Sequence, residues 1–208
     1  MAAKRLHAAV LGKAADDGLR ARAVQNLLHA LQVEIAEREM PQLDIASIHF
    51  EDRVAHFTEV VRAVGGDVVE VAESLEKTLS QLLDSSRVVS PLPELQGSAL
   101  NPDEAADVHE LGGDYTAVVR GEVGVAENGA VWVPVVGRRK AHLFACQHLV
   151  ILLERKSIVD TMHDAVAQIS LERLAYGAFI SGPSKTADIE QALVMGAHGA
   201  MKATIILT

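Results

Sequence analysis

The segment Gly182-Pro183-Ser184-Lys185-Thr186 brings together a residue that permits close backbone approach, two hydroxyl donors and a positive charge. The sequence places it between a strand, Ala178 to Ser181, and a helix from Thr186 to about Met195. At such a strand-to-helix turn, unpaired N–H groups and the positive dipole end face whatever lies above the sheet, which is an anion site. Open α/β sheets also place ligands at the carboxyl ends of strands. Thr186 as an ordinary N-cap, with Asp188 and Glu190 as first-turn acids, accounts for much of the same pattern without any ligand. The spacing is not that of a Walker loop, and Gly-x-Gly-x-x-Gly, His-Glu-x-x-His and Gly-x-Ser-x-Gly are absent. Zinc peptidase and serine hydrolase chemistry therefore have no support.

Three further groups invite chemistry. Glu127, beside Asn128-Gly129, presents a carboxylate at a hairpin tip, suited to acid–base work or to holding a hydroxyl, although a solvated turn residue explains it nearly as well. Glu122, five residues earlier, would face the other way by strand alternation. His198 lies between Gly196 and Gly199, where flanking glycines let a turn approach a ligand, with an ordinary helix-ending turn as the competing reading. His142 and His148 are six apart without a third ligand nearby, so no metal site is expected. Cys146, in an apolar segment, reads as a small buried hydrophobe.

The elements that must position these groups follow from periodicity. Val24, Leu27, Leu28, Leu31 and Ile35 mark a first helix ending near Met40-Pro41. Val54, Phe57, Val61 and Val64 mark a second helix that stops at Gly65-Gly66, and a short strand, VVEV, follows. Leu75, Leu79, Leu82 and Leu83 give another helix, and Arg87 to Ser90 a brief strand. Between Tyr115 and Val136, β-branched runs flank Asn128-Gly129 and predict two strands meeting in a hairpin. His148 to Leu153 is a continuous apolar strand; Ser157, with Asp160 completing a capping box, would start the helix carrying Ile158, Met162, Val166 and Ile169. A strand from Ala203 to Leu207 closes a predicted βαβ unit and favours a parallel sheet.

The totals agree with this architecture. The chain has 208 residues, 49% of them hydrophobic but only 3% aromatic, so the core must rest on Val, Leu, Ile and Ala, as buried parallel strands require. A net charge of -9 argues against a nucleic-acid partner. One cysteine cannot ligate an iron-sulfur cluster or form an internal disulfide. The N-terminal stretch reads as neither signal nor anchor and no membrane-length apolar run appears, so a cytoplasmic protein is expected.

Ala126-Glu127-Asn128-Gly129-Ala130, the strand around His148 to Leu153, and Ile180 through Glu190 together resemble the LutC/YkgG family, the lactate-utilisation group with a LUD domain. In that family a Gly-Pro-Ser-x-Thr-Ala-Asp-Ile-Glu stretch precedes a Gly-x-His-Gly turn, and Gly196-Ala197-His198-Gly199 takes that place here. Two positions depart from the pattern: Glu127-Asn128-Gly129-Ala130 stands where Glu-Thr-Gly-Thr is usual, and Ala200 where proline is. The resemblance implies one LUD domain over residues 1–208, with a helical segment over 1–40 and the domain core over 51–208. It implies an α/β fold, a mostly parallel sheet flanked by helices with a β-hairpin, similar to the NagB/RpiA/CoA transferase-like superfamily, which also holds phosphosugar isomerases and formyltetrahydrofolate cyclo-ligases. It further implies a subunit or accessory protein of an L-lactate to pyruvate oxidation system, beside iron-sulfur partner proteins that carry the clusters. Glu127, Asp188 and His198 would then be the catalytic candidates around a small anionic ligand. Asn128, Gly129, Gly182, Pro183, Ser184, Lys185, Thr186 and Gly199 would hold that ligand. The alternative is a stand-alone enzyme binding a nucleotide or CoA phosphate at the same helix start, with Lys185 as the phosphate contact.

Overall fold

The computed structural model describes residues 48–83, 87–111, 114–135, 137, 140–170, 176–189, 192–196 and 199–208. The first helix expected from sequence, Glu190, Ala197 and His198 lie outside the described residues.

Helix α1 (Arg53–Ala63) begins where Asp52 accepts the N–H of Ala55 at 2.9 Å and ends at Val64-Gly65, with Gly65 at φ 86°. It leads into β1 (Asp67–Glu70). Helix α2 (Leu75–Leu82) is capped by Ser74, and β2 (Val88–Val89) follows. Both helices and both strands fall where the apolar spacing predicts them. The remaining strands of the larger sheet are β3 (Thr116–Arg120), β6 (His148–Leu153) and β11 (Lys202–Leu207). The order β1-β11-β6-β3-β2 is parallel throughout. His148 to Leu153 is a strand with the bounds read from sequence, because an uninterrupted apolar run suits a strand buried on both faces.

Alternation along these strands builds two cores. Ala117, Val119, Leu149, Ile151, Leu153, Ile205 and Leu207 meet Phe57 and Val61 of α1 on one face. Val118, Val150, Leu152 and Ile206 meet Leu79 of α2 on the other. Over the α1 face lies a second sheet, β7-β4-β5-β8, made of β4 (Val123–Val125), β5 (Ala130–Val135), β7 (Ile158–Val159) and β8 (Tyr176–Ile180). Its Val131, Val133 and Ile158 join the first core, while Val125, Trp132 and Val159 pack against Ala165 of α3 (Met162–Gln168). The mostly parallel α/β architecture with a hairpin is thus the one expected.

Four local expectations are corrected. The run from Tyr115 to Val136 is not one hairpin: β3 belongs to the parallel sheet and the chain changes sheets at Gly121-Glu122. The hairpin proper is β4–β5 with register Val125↔Ala130, so four residues, Ala126 to Gly129, make its loop. Helix α3 starts at Thr161, not Ser157; Thr161 and Asp164 form the capping box, and Ile158-Val159 are drawn into β7 beside β4. No helix spans Thr186 to Met195: β9 (Lys185–Ile189) and β10 (Ala192–Met195) form an antiparallel pair, with β-branched Thr186 and Val194 as register partners. The predicted βαβ unit is therefore absent there, since β8 pairs antiparallel with β5 in the second sheet.

Candidate functional site

The two segments that carry the family resemblance converge. Ser181 Oγ donates to the carbonyl of Asn128 at 2.9 Å, tying the end of β8 to the β4–β5 loop. Asn128 Oδ1 accepts the N–H of Ala130 at 3.0 Å, and the Gly129 N–H donates to Val125 O, so the loop is closed by its own backbone. Both glycines at the junction are required by geometry. Gly129 has φ 66°, and a Cβ there would stand 3.1 Å from the backbone N of Val61; Gly182 has φ 67°, and a Cβ would stand 2.8 Å from Val64 O. The hairpin tip and the signature loop therefore both lie against the C-terminal turns of α1.

The loop's backbone at Ser184 and its lysine are spent on the fold. The Ser184 N–H donates to Ala200 O at 2.8 Å and Ser184 O accepts from Gly196 at 2.9 Å; Pro183 is buried. Lys185 Nζ donates to Val64 O, where the negative end of α1 favours a cation. Gly199 lies against Ser184, whose Cβ would be 2.9 Å from an added methyl. These contacts reverse the expected electrostatics: the loop faces the carbonyl end of one helix and not the N–H end of another. Val64 and Ala200 stand just before β1 and β11, so the junction sits at the amino edge of the parallel sheet.

The site candidates accordingly separate. Asn128, Gly129, Gly182, Pro183, Ser184, Lys185 and Gly199 are brought together. Thr186 and Asp188 lie on β9, and His198 is outside the described residues. Glu127 is exposed but engaged elsewhere: its Oε2 accepts the N–H of Met162 at 3.0 Å at the start of α3.

One half-buried group and one buried group are electrostatically settled. Desolvation, then the nearby Lys202 charge, push the His148 imidazole down to about 4 against an opposing pull from Asp67, and its Nε2 lies 2.8 Å from Thr204 Oγ1. Desolvation pushes the Cys146 thiol up to about 11, so it is an inert thiol. Among the described residues, no three His, Cys, Asp or Glu side chains group as a metal site, and no helix is long and apolar enough to cross a membrane.

Sequence reasoning missed two polar centres. Asp160 receives His49 Nδ1 at 2.8 Å and the Phe50 N–H at 3.2 Å, with Arg53 Nε at 3.7 Å. Although burial opposes it, these partners hold its carboxyl below the ordinary range, and it anchors the approach to α1. At the carboxyl edge of the sheet, Arg155 Nη1 meets Glu70 Oε1 at 3.1 Å. The available signal was a charged residue directly after each apolar strand, Glu70 after VV and Glu154-Arg155 after HLVILL.

Residues 115–208 match the family model of the LUD domain. Lactate utilization protein C of Bacillus pumilus (strain SAFR-032) is 36% identical over 100 residues, 44% of this chain and 41% of that one. The protein of the same name from Geobacillus sp. (strain WCH70) is 32% identical over 126 residues, 51% of this chain and 52% of its own. The chain thus spans about half, or less, of the length of the curated relatives it matches. The crystal structure of a DUF162 family protein from Deinococcus radiodurans shares the fold, with a TM-score of 0.55 at 13% identity over 77% of this chain and 99% of that one. Residues 115–208, which match the LUD domain, hold both converging segments, and the chain is similar over part of its length to the lactate utilization C proteins.

Proposed function

We propose that this chain serves lactate utilisation, as a cytoplasmic component of the oxidation of L-lactate to pyruvate that works beside iron-sulfur partner proteins and carries no cluster itself. The observation that carries the reading is the likeness to lactate utilization protein C, together with the LUD-domain match over residues 115–208, where the Asn128 and Ser181 segments meet. Chemistry agrees with the division of labour: a cluster needs several thiolates, and Cys146 is a lone buried thiol whose deprotonation burial disfavours. Within this reading Glu127, Asp188 and His198 are the side chains proposed to act on the ligand or partner. The alternative, phosphate binding of a nucleotide or CoA, needed a helix N-terminus after Lys185, and a strand stands there. Deleting the gene is expected to abolish growth on L-lactate but not on glucose, with rescue by the intact gene and weaker rescue by Glu127→Gln, Asp188→Asn or His198→Gln. Undiminished growth of the deletion strain on L-lactate would remove the proposal.

A further inference from the structure

The two larger sheets each have two outer strands, and three of these four edges are closed or blunted. β1 carries exposed Asp67 and Glu70 at its two ends, charges that discourage a further strand. β2 has two residues, and Leu100 lies along its outer side, giving its N–H to Val88 O at 2.9 Å and accepting the Ser90 N–H at 3.0 Å. β7 also has only two residues. β8, Tyr176–Ile180, is different: five residues in unbroken register with β5, without charge or proline, each of them partly exposed. Among the described residues no strand pairs with its other side. Such an edge is a template for another strand.

The ladder decides which groups β8 offers. Trp132 turns its carbonyl to β4, where it accepts the Glu122 N–H at 2.9 Å. By alternation Val131, Val133 and Val135 turn to β8, and their partners Ile180, Ala178 and Tyr176 turn back to β5. Pro134, which has no N–H to give, falls in the set that turns away from β8, as this assignment requires. Gly177 and Phe179 therefore point their N–H and C=O groups outward. They are the second and fourth of five residues, so an antiparallel copy of β8 centred on Ala178 sets each opposite the other and pairs every outward group. The side chains agree. On the core face Tyr176 meets Ile180 and the small Ala178 meets itself; on the other face Phe179 comes opposite Gly177, where no side chain competes.

Charge favours a second copy as the strand donor. Two chains of net charge -9 repel, and they approach most easily where carboxylates are missing. No Asp or Glu occurs from Asn128 to Leu153, which includes β5, or from Tyr176 to Ala187, which includes β8. The cation at the start of the strand, Lys140, lies over its own Tyr176 ring at 4.7 Å, and a twofold axis sends the two lysines to opposite ends of the paired strands, roughly 14 Å apart. Phe144, 40% exposed and edge-on to Tyr176 at 6.3 Å, extends the apolar surface past the strand end.

We propose that a second copy of this chain docks along β8, its own β8 running antiparallel about a twofold axis at Ala178, so that the second sheet continues into that of its partner. A single strand edge is a small interface, so the dimer dissociates in the range of about 10–100 µM. The inference is independent of the lactate-utilisation reading.

The test is sedimentation of the full chain together with residue-resolved amide hydrogen exchange, at about 10 µM and about 500 µM. A monomer–dimer equilibrium is expected. The Gly177 and Phe179 amides should exchange about threefold or more slowly at the higher concentration, whereas those of Tyr176, Ala178 and Ile180, already in the ladder with β5, should change less. A cross-link checks the register. In a glutathione redox buffer Ala178→Cys should form a covalent dimer at least about tenfold faster than Val166→Cys, an exposed site on α3, because facing residues of a pair without hydrogen bonds lie within disulfide reach. A monomer with fast Gly177 and Phe179 amides at both concentrations would overturn the proposal and leave the edge to a strand from a different protein. Slow amides in a monomer would overturn it too, since a segment of the same chain would then cover β8. So would a dimer in which those two amides stay fast, or equal cross-linking of the two cysteine variants.

Discussion

The two edges of the parallel sheet treat their polar residues in opposite ways. At the amino edge, Ser181, Ser184 and Lys185 donate to carbonyls of Asn128, Ala200 and Val64, and the glycines bring backbone against backbone. At the carboxyl edge, Glu70 and Arg155 border an open cleft that runs along α1 past Glu59 and Arg62, and the Arg155 and Glu70 side chains are about half exposed or more. The difference teaches that a sequence signature rich in hydroxyls, charge and glycine can be spent on closing a fold. The groups left to face solvent stand where short apolar strands run out.

The comparison can be broken most forcefully at the core both edges share. Ile151 and Leu153 are 1% and 0% exposed between the two sheets, and replacing either by alanine should cost about 3–5 kcal/mol, read as a lower urea midpoint. A loss under about 1 kcal/mol would mean that the second sheet does not cover that face. At the amino edge, Gly129→Val should cost about 2–4 kcal/mol, because a β-branched residue must take a left-handed φ and press on Val61.

A third perturbation is pH. The His148 pKa in the fold, about 4, lies below its ordinary value of 6.5, so the folded state binds fewer protons than the unfolded chain between them. The stabilisation is complete above pH 6.5 and is lost as pH falls toward 4. After allowance for partial exposure it amounts to about 1–3 kcal/mol, and His148→Gln should flatten that part of the stability profile. A profile unchanged by the substitution would place the imidazole in solvent. The smallest effect belongs to the α3 cap: Thr161→Ala should cost about 1 kcal/mol by thermal unfolding, whereas Ser157→Ala should leave the midpoint unmoved.

Much of the fold was legible because its parallel strands are buried on both faces and its helices carry one apolar stripe. β6, α1 and α2 could be read directly from Leu, Val and Ile spacing. What misled was local chemistry that tertiary pairing overrides. Thr186 followed by Asp188 and Glu190 has the look of a helix start, yet β9 pairs with β10 instead, and Lys185 is drawn to Val64, 121 residues away in sequence. Ser157 looked like a cap because Asp160 sits three residues on, but that carboxylate is taken by His49 and Phe50, again a long-range contact. Of the candidate site, the convergence of the Asn128 and Ser181 segments was foreseeable from their joint signature. Glu127's bond to the start of α3 and the Glu70–Arg155 cleft were not, since neither partner lies within one element of the other.

The central claim is that the signature loop is packed against the C-terminal end of α1. Urea unfolding of Gly182→Ala tests it most directly. A methyl 2.8 Å from Val64 O, on a residue at φ 67°, should lower stability by about 2–3 kcal/mol with an unchanged m-value. A variant as stable as the parent, within about 0.5 kcal/mol, would show that the loop does not rest on α1 and that the Gly182 to Thr186 segment is free to do other chemistry.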